Sequence, residues 1–227
     1  MKEHLVIFTG AGMSAESGIK TFRDADGLWN EHEIEDVATF EAFERDQTLV
    51  QDFYNRRRRE LMQAQPNAAH YLLAKLEEKY KVTIVTQNID DLHERAGSTN
   101  VLHLHGELRK MHTVNDKFTL YEVDGDIVPF TKGADDSFYR PHVVWFGEEV
   151  PMLEIAAEVM STADIFILIG SSLQVYPAAG LIEVVGEEVT KYVIDKNIPP
   201  LHYYNNIIPL EMTATEGMRK LMEILWN

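Results

Sequence analysis

Small and polar residues recur at the ends of apolar runs in this chain, the positions from which an open α/β sheet presents its chemistry. Residues 5–8 (Leu-Val-Ile-Phe) lead into Gly10, Ala11, Gly12, Met13, Ser14 and Ala15. A strand, a glycine turn and a helix start in that order would turn backbone N–H groups and a helix N-terminus toward an anion. The spacing Gly10-x-Gly12-x-x-Ala15 is the G-x-G-x-x-A form of a dinucleotide fingerprint. Hydride transfer with such a dinucleotide requires a second strand that ends in an acid about 20 residues further on. Residues 24–36 carry no strand pattern, and Glu31, Glu33 and Glu35 have no strand to end. The turn points to a dinucleotide and away from a dehydrogenase.

Further clusters follow the other apolar runs. After residues 82–85 come Thr86, Gln87, Asn88, Ile89 and Asp90. Two amides and a carboxylate at a strand end form a polar hook for a ligand; equally, Asn88 or Asp90 could cap a helix over residues 91–95. Residues 101–104 run into His105, Gly106 and Glu107, with His103 and His105 on one side of an extended chain. His105, beside a glycine and a strand end, is the better general base, against a structural role for either ring. A metal held by the pair lacks a third ligand. Residues 165–169 precede Gly170, Ser171 and Ser172, suited to a ribose or phosphate or to a plain turn. Residues 141–148 (PHVVWFGE) are strand-like and apolar, either core or a groove that pairs with an extended peptide.

Continuous apolar runs at 5–8, 82–85 and 165–169, with weaker ones at 101–104 and 192–194, read as buried parallel strands. Helical patterns lie between them, at 67–80 after Pro66, at 153–160, at 178–188 and at 215–225. This alternation implies an α/β parallel sheet with helices on both faces. Residues 31–65 read as helices without strands, and residues 107–140 as short alternating pieces, so both leave the sheet for a smaller lobe.

The chain has 227 residues, 45% of them hydrophobic, enough for one sizeable core. Lys and Arg number 21 against 37 Asp and Glu, a net charge of −16. Such a surface repels phosphate backbones, which excludes nucleic acid as a partner; it would suit a basic peptide, or serve only solubility. With no cysteine, disulfides, thiolate metal sites and a cysteine nucleophile are excluded. Residues 1–4 run straight into the first strand, and no apolar run is long enough to span a bilayer. A soluble cytoplasmic protein without a membrane partner is expected.

Taken together, GAGMSAESGIKTFRDADGLW, TQNIDDLHERAG, LHGEL, PHVVWFGE and GSS, in that order across roughly residues 5–180, resemble the sirtuin family of NAD-dependent protein lysine deacylases. The resemblance implies a Rossmann-like domain (residues 1–30, 66–106 and 141–227). It also implies a small lobe, with a helical module at 31–65 and the family's zinc module at 107–140. NAD is implied as a co-substrate and acylated-lysine proteins or peptides as partners. Gly10, Ala11, Gly12, Ser14 and Ala15 would cradle the pyrophosphate, and Phe22 and Arg23 would lie over the ribose. Gln87 would face that ribose, with Asn88 and Asp90 shaping the nicotinamide pocket. Gly170, Ser171 and Ser172 would hold the adenosine side, and His105 would be the general base. Val144, Phe146, Gly147 and Glu148 would line the substrate cleft. Residues 48–61 read as a helix with Tyr54 and Arg57 on one face. This Tyr-x-x-Arg pair resembles the class III subgroup, which removes succinyl and malonyl groups. A phenol and an arginine fork suit an acyl carboxylate, and a small Ala38 leaves room for the chain. The alternative is that the basic run at 56–59 is a solvated helix face.

The sequence departs from the family where its zinc cysteines should stand. Residues 107–140 offer mostly oxygen donors, poor for a closed zinc site, so no zinc is expected. A mini-core of Met111, Val114, Phe118, Leu120, Tyr121, Val123, Ile127, Val128, Phe130, Phe138 and Tyr139 is expected to hold the lobe instead. Lys20 and Thr21 replace the acid and proline of many members. Asp195 stands where members often have an asparagine on the adenosine ribose, and is a weaker ribose ligand for it. An NAD glycohydrolase, an ADP-ribosyltransferase or a non-catalytic NAD sensor remain competing functions, and the oligomeric state is left open.

Overall fold

The computed structural model describes residues 2–20 and 32–226. Phe22 and Arg23 lie outside the described residues. The chain enters β1 (His4–Thr9), turns at Gly10 and makes a single helical turn, α1 (Gly12–Ala15). α2 (Ile34–Val37), α3 (Phe40–Arg45) and α4 (Gln47–Gln63) follow without a strand between them. α5 (Ala68–Leu76), β2 (Lys81–Thr86), α6 (Leu92–Arg95) and β3 (Val101–His103) come next. β4 (Gly106–Thr113), β5 (Tyr121–Glu122) and β6 (Tyr139–Val143) make a separate antiparallel sheet. α7 (Leu153–Ser161), β7 (Ile165–Ile169), a 3-10 helix (Ala178–Val184), β8 (Thr190–Asp195), β9 (Ile207–Glu211) and α8 (Ala214–Trp226) complete the chain.

The large sheet is parallel throughout, in the order β3-β2-β1-β7-β8-β9. β1 takes the centre because both of its faces are apolar. Leu5 and Ile7 pack with α5 and α8 on one side, and Val6 and Phe8 pack with α7 and the 3-10 helix on the other. The strand order reverses direction between β1 and β7. In such sheets the crevice outside the carboxyl ends at the reversal is where a ligand is received. Gly10 and Gly170 stand at those two ends.

Local chemistry sets the helix starts. Thr39 Oγ1 accepts from Ala42 N, and Asp46 Oδ1 accepts from Leu49 N. Asn67 caps α5 reciprocally: its Oδ1 accepts from Ala69 N while His70 Nδ1 accepts from Asn67 N. The run from 178 is a 3-10 helix that stops at Val184. β9 was not anticipated: its short apolar run is interrupted by Pro209, and it is an edge strand with only Leu210 buried.

The lobe is held differently from the apolar mini-core expected of it. Of that set, Val123 and Ile127 are buried, while Phe118, Leu120, Tyr121, Val128 and Phe130 are exposed. Val114 and Phe138 pack at the edge of a third cluster built on α2, α3 and α4. The fastening comes from a polar stripe on α4, where Gln47, Gln51, Asn55 and Arg58 are all buried. Gln47 Oε1 accepts from Phe130 N, and Gln51 Nε2 donates to Tyr139 O. Asn55 binds Ile127 twice, Nδ2 to O at 3.0 Å and N to Oδ1 at 2.9 Å. Arg58 donates to Leu108 O and Gly125 O. A lobe whose strands are too few to bury a core satisfies its backbone through helix side chains instead. Asn55→Ala strands a buried N–H and a buried C=O. It should cost about 3 kcal/mol and lower the melting temperature by roughly 6–12 °C, measured by calorimetry. A shift within 1–2 °C would show that α4 does not fasten the lobe.

Candidate active site

A single cavity of about 670 Å³ runs along the carboxyl ends of the large sheet and on beneath α4. The size suits a small-molecule site. Gly10, Ala11, Gly12, Ser14 and Ala15 line it from β1 and α1; Gln87, Asn88 and Asp90 from the end of β2; His105 from the end of β3; Gly170, Ser171 and Ser172 from β7; and Asp195 from β8. Ala38, Tyr54, Arg57, Val144, Phe146, Gly147 and Glu148 line its other end. Every site residue expected from the sequence therefore borders one space, apart from Phe22 and Arg23, which are not described.

The glycines are demanded by close approach. A Cβ on Gly10 would meet Gly170 O at 2.7 Å, and one on Gly12 would meet Gly170 Cα at 2.6 Å. Gly170 itself has φ +62°. The anion-site reading needs correction in one respect. α1 is one turn long, so its dipole is slight. The N–H groups of Gly10, Gly12, Met13 and Ser14 are already spent on Ile169, Gly170, Gly10 and Ala11 carbonyls. Ala11 N–H has no acceptor among the described residues and is the donor left to face a phosphate.

Gln87 is the hub. Its N–H donates to Thr9 O, its Oε1 accepts from Ser171 Oγ at 2.8 Å, and its carbonyl receives His105 Nδ1–H at 3.0 Å. That bond leaves His105 Nε2 as the free, basic nitrogen. Burial lowers the His105 pKa, and the bond to Gln87 offsets part of this. Asn88 Nδ2 donates to Gly10 O and Ser14 Oγ, and Ser14 Oγ donates to Asp90 Oδ2 at 2.9 Å. Asp90 Oδ1 also accepts from Leu92 N at the start of α6. This is a turn leading into α6 rather than an N-cap, since the N-cap residue is Asp91 and its side chain makes no cap bond. Burial raises the Asp90 pKa against these bonds.

The two histidines have separate tasks. His103 Nδ1 donates to Asn88 O and Nε2 lies 2.8 Å from Glu94 Oε1. Burial opposes charge on this ring, but Glu94 prevails and raises the pKa. His103 is a clip under the Asn88 loop, with both ring nitrogens engaged by Asn88 O and Glu94 Oε1. Among the described residues no group of three or more His, Asp or Glu could hold a metal ion.

The model of the Sir2 family matches residues 10–177. The chain belongs to the Sir2 family. An "NAD-dependent protein deacylase" of Bacteroides thetaiotaomicron is 46% identical over 229 residues, covering 98% of each chain. One of Escherichia coli K12 is 54% identical over 234 residues, 98% of this chain and 85% of that one. A solved Sir2 homologue in complex with NAD superposes with a TM-score of 0.89 at 40% identity, covering 99% of this chain and 90% of that one.

In this Sir2 protein the segment 144–148 links the His105 end of the cavity to the α4 end. Val144 N donates to His105 O, and Phe146 N donates to Ala38 O. Trp145 N donates to Glu148 Oε2, and Glu148 N to Trp145 O. Gly147 N–H has no acceptor among the described residues, so it and the segment's carbonyls are the backbone groups open to pairing. Tyr54 and Arg57 are buried at the far end. Burial raises the Tyr54 pKa to about 12 and lowers that of Arg57. The basic run 56–59 is thus split: Arg57 and Arg58 are buried, while Arg56 and Arg59 keep the solvated face.

Sequence reasoning passed over several lining residues. Met212, Thr213 and Ala214 reach the cavity from the end of β9, beside Asp195 and Lys196. Glu16 ties this corner to α1, accepting from Thr215 N and Oγ1. Missing β9 meant missing them. Trp145 also lines the cavity; its place in an apolar run gave it the signature of a core residue. Asp195 Oδ1 is occupied by Asn197 N, and burial raises its pKa. Among the described residues no helix is long and apolar enough to cross a membrane.

Proposed function

We propose that this chain is an NAD-dependent protein lysine deacylase that prefers acyl groups ending in a carboxylate, succinyl or malonyl, and also removes acetyl. The observation that carries this reading is the continuity of one cavity from His105 Nε2 to the buried Tyr54–Arg57 pair. NAD fits the first end. The tight glycine turn with its one spare N–H, the Ser171–Gln87 pair and the Ser14–Asn88–Asp90 network supply donors and acceptors for pyrophosphate, ribose and amide groups. When bound, NAD supplies an electrophilic ribose carbon from which nicotinamide leaves. The net reaction takes acyl-lysine, NAD and water to lysine, nicotinamide and O-acyl-ADP-ribose.

His105 is the general base in this reading, its Nε2 taking a proton from a ribose hydroxyl. A neutral imidazole with a fixed tautomer suits that task. Asn88 and Asp90, held by Ser14, shape the nicotinamide end. Ala38, Val144 and Phe146 enclose the acyl chain and exclude water, which strengthens every electrostatic contact within. Arg57 pairs with the acyl carboxylate. Asp195 and Ser172 border the adenosine side. The net charge of −16 suits basic, lysine-bearing segments and disfavours nucleic acid, and the cytoplasm is the proposed compartment.

The test is incubation of the purified protein with NAD and matched acetyl- and succinyl-lysine peptides, followed by mass spectrometry. Acyl-ADP-ribose should form from both, with a higher kcat/KM for the succinyl peptide. Nicotinamide release without peptide deacylation would replace this reading by a glycohydrolase, and no NAD turnover would replace it by a sensor.

A further inference from the structure

Among the described residues Tyr54 carries one hydrogen bond at its hydroxyl, and the direction of that bond matters. Trp145 Nε1 is 3.0 Å from Tyr54 Oη. An indole nitrogen only donates, so the phenol oxygen is the acceptor. A phenolic O–H lies in the plane of its ring and has two orientations. An N–H arriving on one side excludes the proton from that side. The Tyr54 proton is driven to the other orientation, and among the described residues no acceptor receives it. Tyr54 is 3% exposed and lines the cavity. A buried donor with no protein acceptor is a vacancy for a ligand acceptor.

The indole is itself immobilised. The Arg140 guanidinium stacks 3.4 Å from the Trp145 ring centroid. Arg140 is fixed in turn by a two-pronged pair with Glu148, at 2.6 and 2.9 Å, and by a bond to Val143 O. Phe43 packs 5.4 Å from the indole. The Glu148 carboxylate also receives Trp145 N, so the backbone and the ring of Trp145 are both held.

We propose that Trp145 is a positioning residue for acyl specificity: its indole N–H fixes Tyr54 as a hydrogen-bond donor toward the carboxylate of a bound acidic acyl group. The proposal rests on the acidic-acyl reading of the cavity. A simple structural role for Trp145 would affect all substrates alike. The positioning role affects only substrates whose acyl group can accept the Tyr54 proton.

The experiment is a double-mutant cycle of Trp145→Phe and Tyr54→Phe, read as kcat and KM on succinyl- and acetyl-lysine peptides. Trp145→Phe should lower kcat/KM for the succinyl peptide about five- to tenfold, mainly through KM. The acetyl value should fall about twofold at most. The double variant should be no worse on succinyl-lysine than Tyr54→Phe alone, because the indole acts through that hydroxyl. Equal losses on both peptides, or additive losses in the cycle, would overturn the role of Trp145 while leaving the acidic-acyl reading intact. A wild-type protein without succinyl preference would overturn both, whereas Tyr54→Phe without effect on that preference would overturn the role of Trp145 alone. If Trp145→Phe does not fold, benzothienylalanine at position 145 keeps the ring shape and replaces N–H by sulfur. The same succinyl-selective loss is then expected, and its absence overturns the proposal.

Discussion

Replacing His105 with alanine should lower acyl-ADP-ribose formation by roughly 100- to 10,000-fold, the usual contribution of a positioned general base. Among the described residues the ring makes one hydrogen bond, from Nδ1 to Gln87 O, and Gln87 keeps its bonds to Thr9 and Ser171. Folding and NAD binding should therefore survive, which separates a chemical loss from a structural one. The pH profile carries a second signature. Burial lowers the His105 pKa from its ordinary value of 6.5. The ring is thus neutral, and competent as a base, at pH 7 and for some way below 6.5. kcat/KM should hold level down to that region and fall only as the pH drops through the lowered pKa. An acid limb centred above 6.5 would assign the base to another group.

Arg57→Met should lower succinyl-lysine kcat/KM by about 30-fold or more, since removing one member of a buried, hydrogen-bonded charge pair costs about 2–5 kcal/mol. Methionine keeps most of the side-chain length and the contact with Phe53, over which the guanidinium lies at 5.4 Å. The acetyl peptide, with no carboxylate, should suffer far less. Comparing the two specificity constants in one preparation gives the answer. Undiminished succinyl activity would remove Arg57 from the acyl site, and with it the acidic-acyl preference.

Much of the fold was legible because it rests on burial, which leaves a local trace. β1, β2 and β7 lie between two layers of helices, so their apolar runs are continuous. Edge strands leave less. β9 buries one residue of five, and a strand with one wet face and a proline does not stand out. The lobe misled for the opposite reason. Polar residues on a helix ordinarily mark solvent, yet Gln47, Gln51, Asn55 and Arg58 face inward to backbone groups 50 to 88 residues away.

The sequence by itself determined most of the residues that line the site, Trp145 and the end of β9 excepted, because glycines, amides and histidines follow strands whose carboxyl ends must meet at one edge of a parallel sheet. Tertiary structure decided what each of them does there. It separated His103, clamped between Asn88 and Glu94, from His105, whose Nε2 has no partner among the described residues. It gave Asp90 two partners at once and, among the described residues, left Ala11 N–H as the spare donor of the glycine turn. It also set the Trp145 indole against Tyr54, 91 positions apart. Periodicity records how much water a residue sees. The direction of a hydrogen bond depends on which distant atom arrives opposite it, and only the folded chain brings that atom into place.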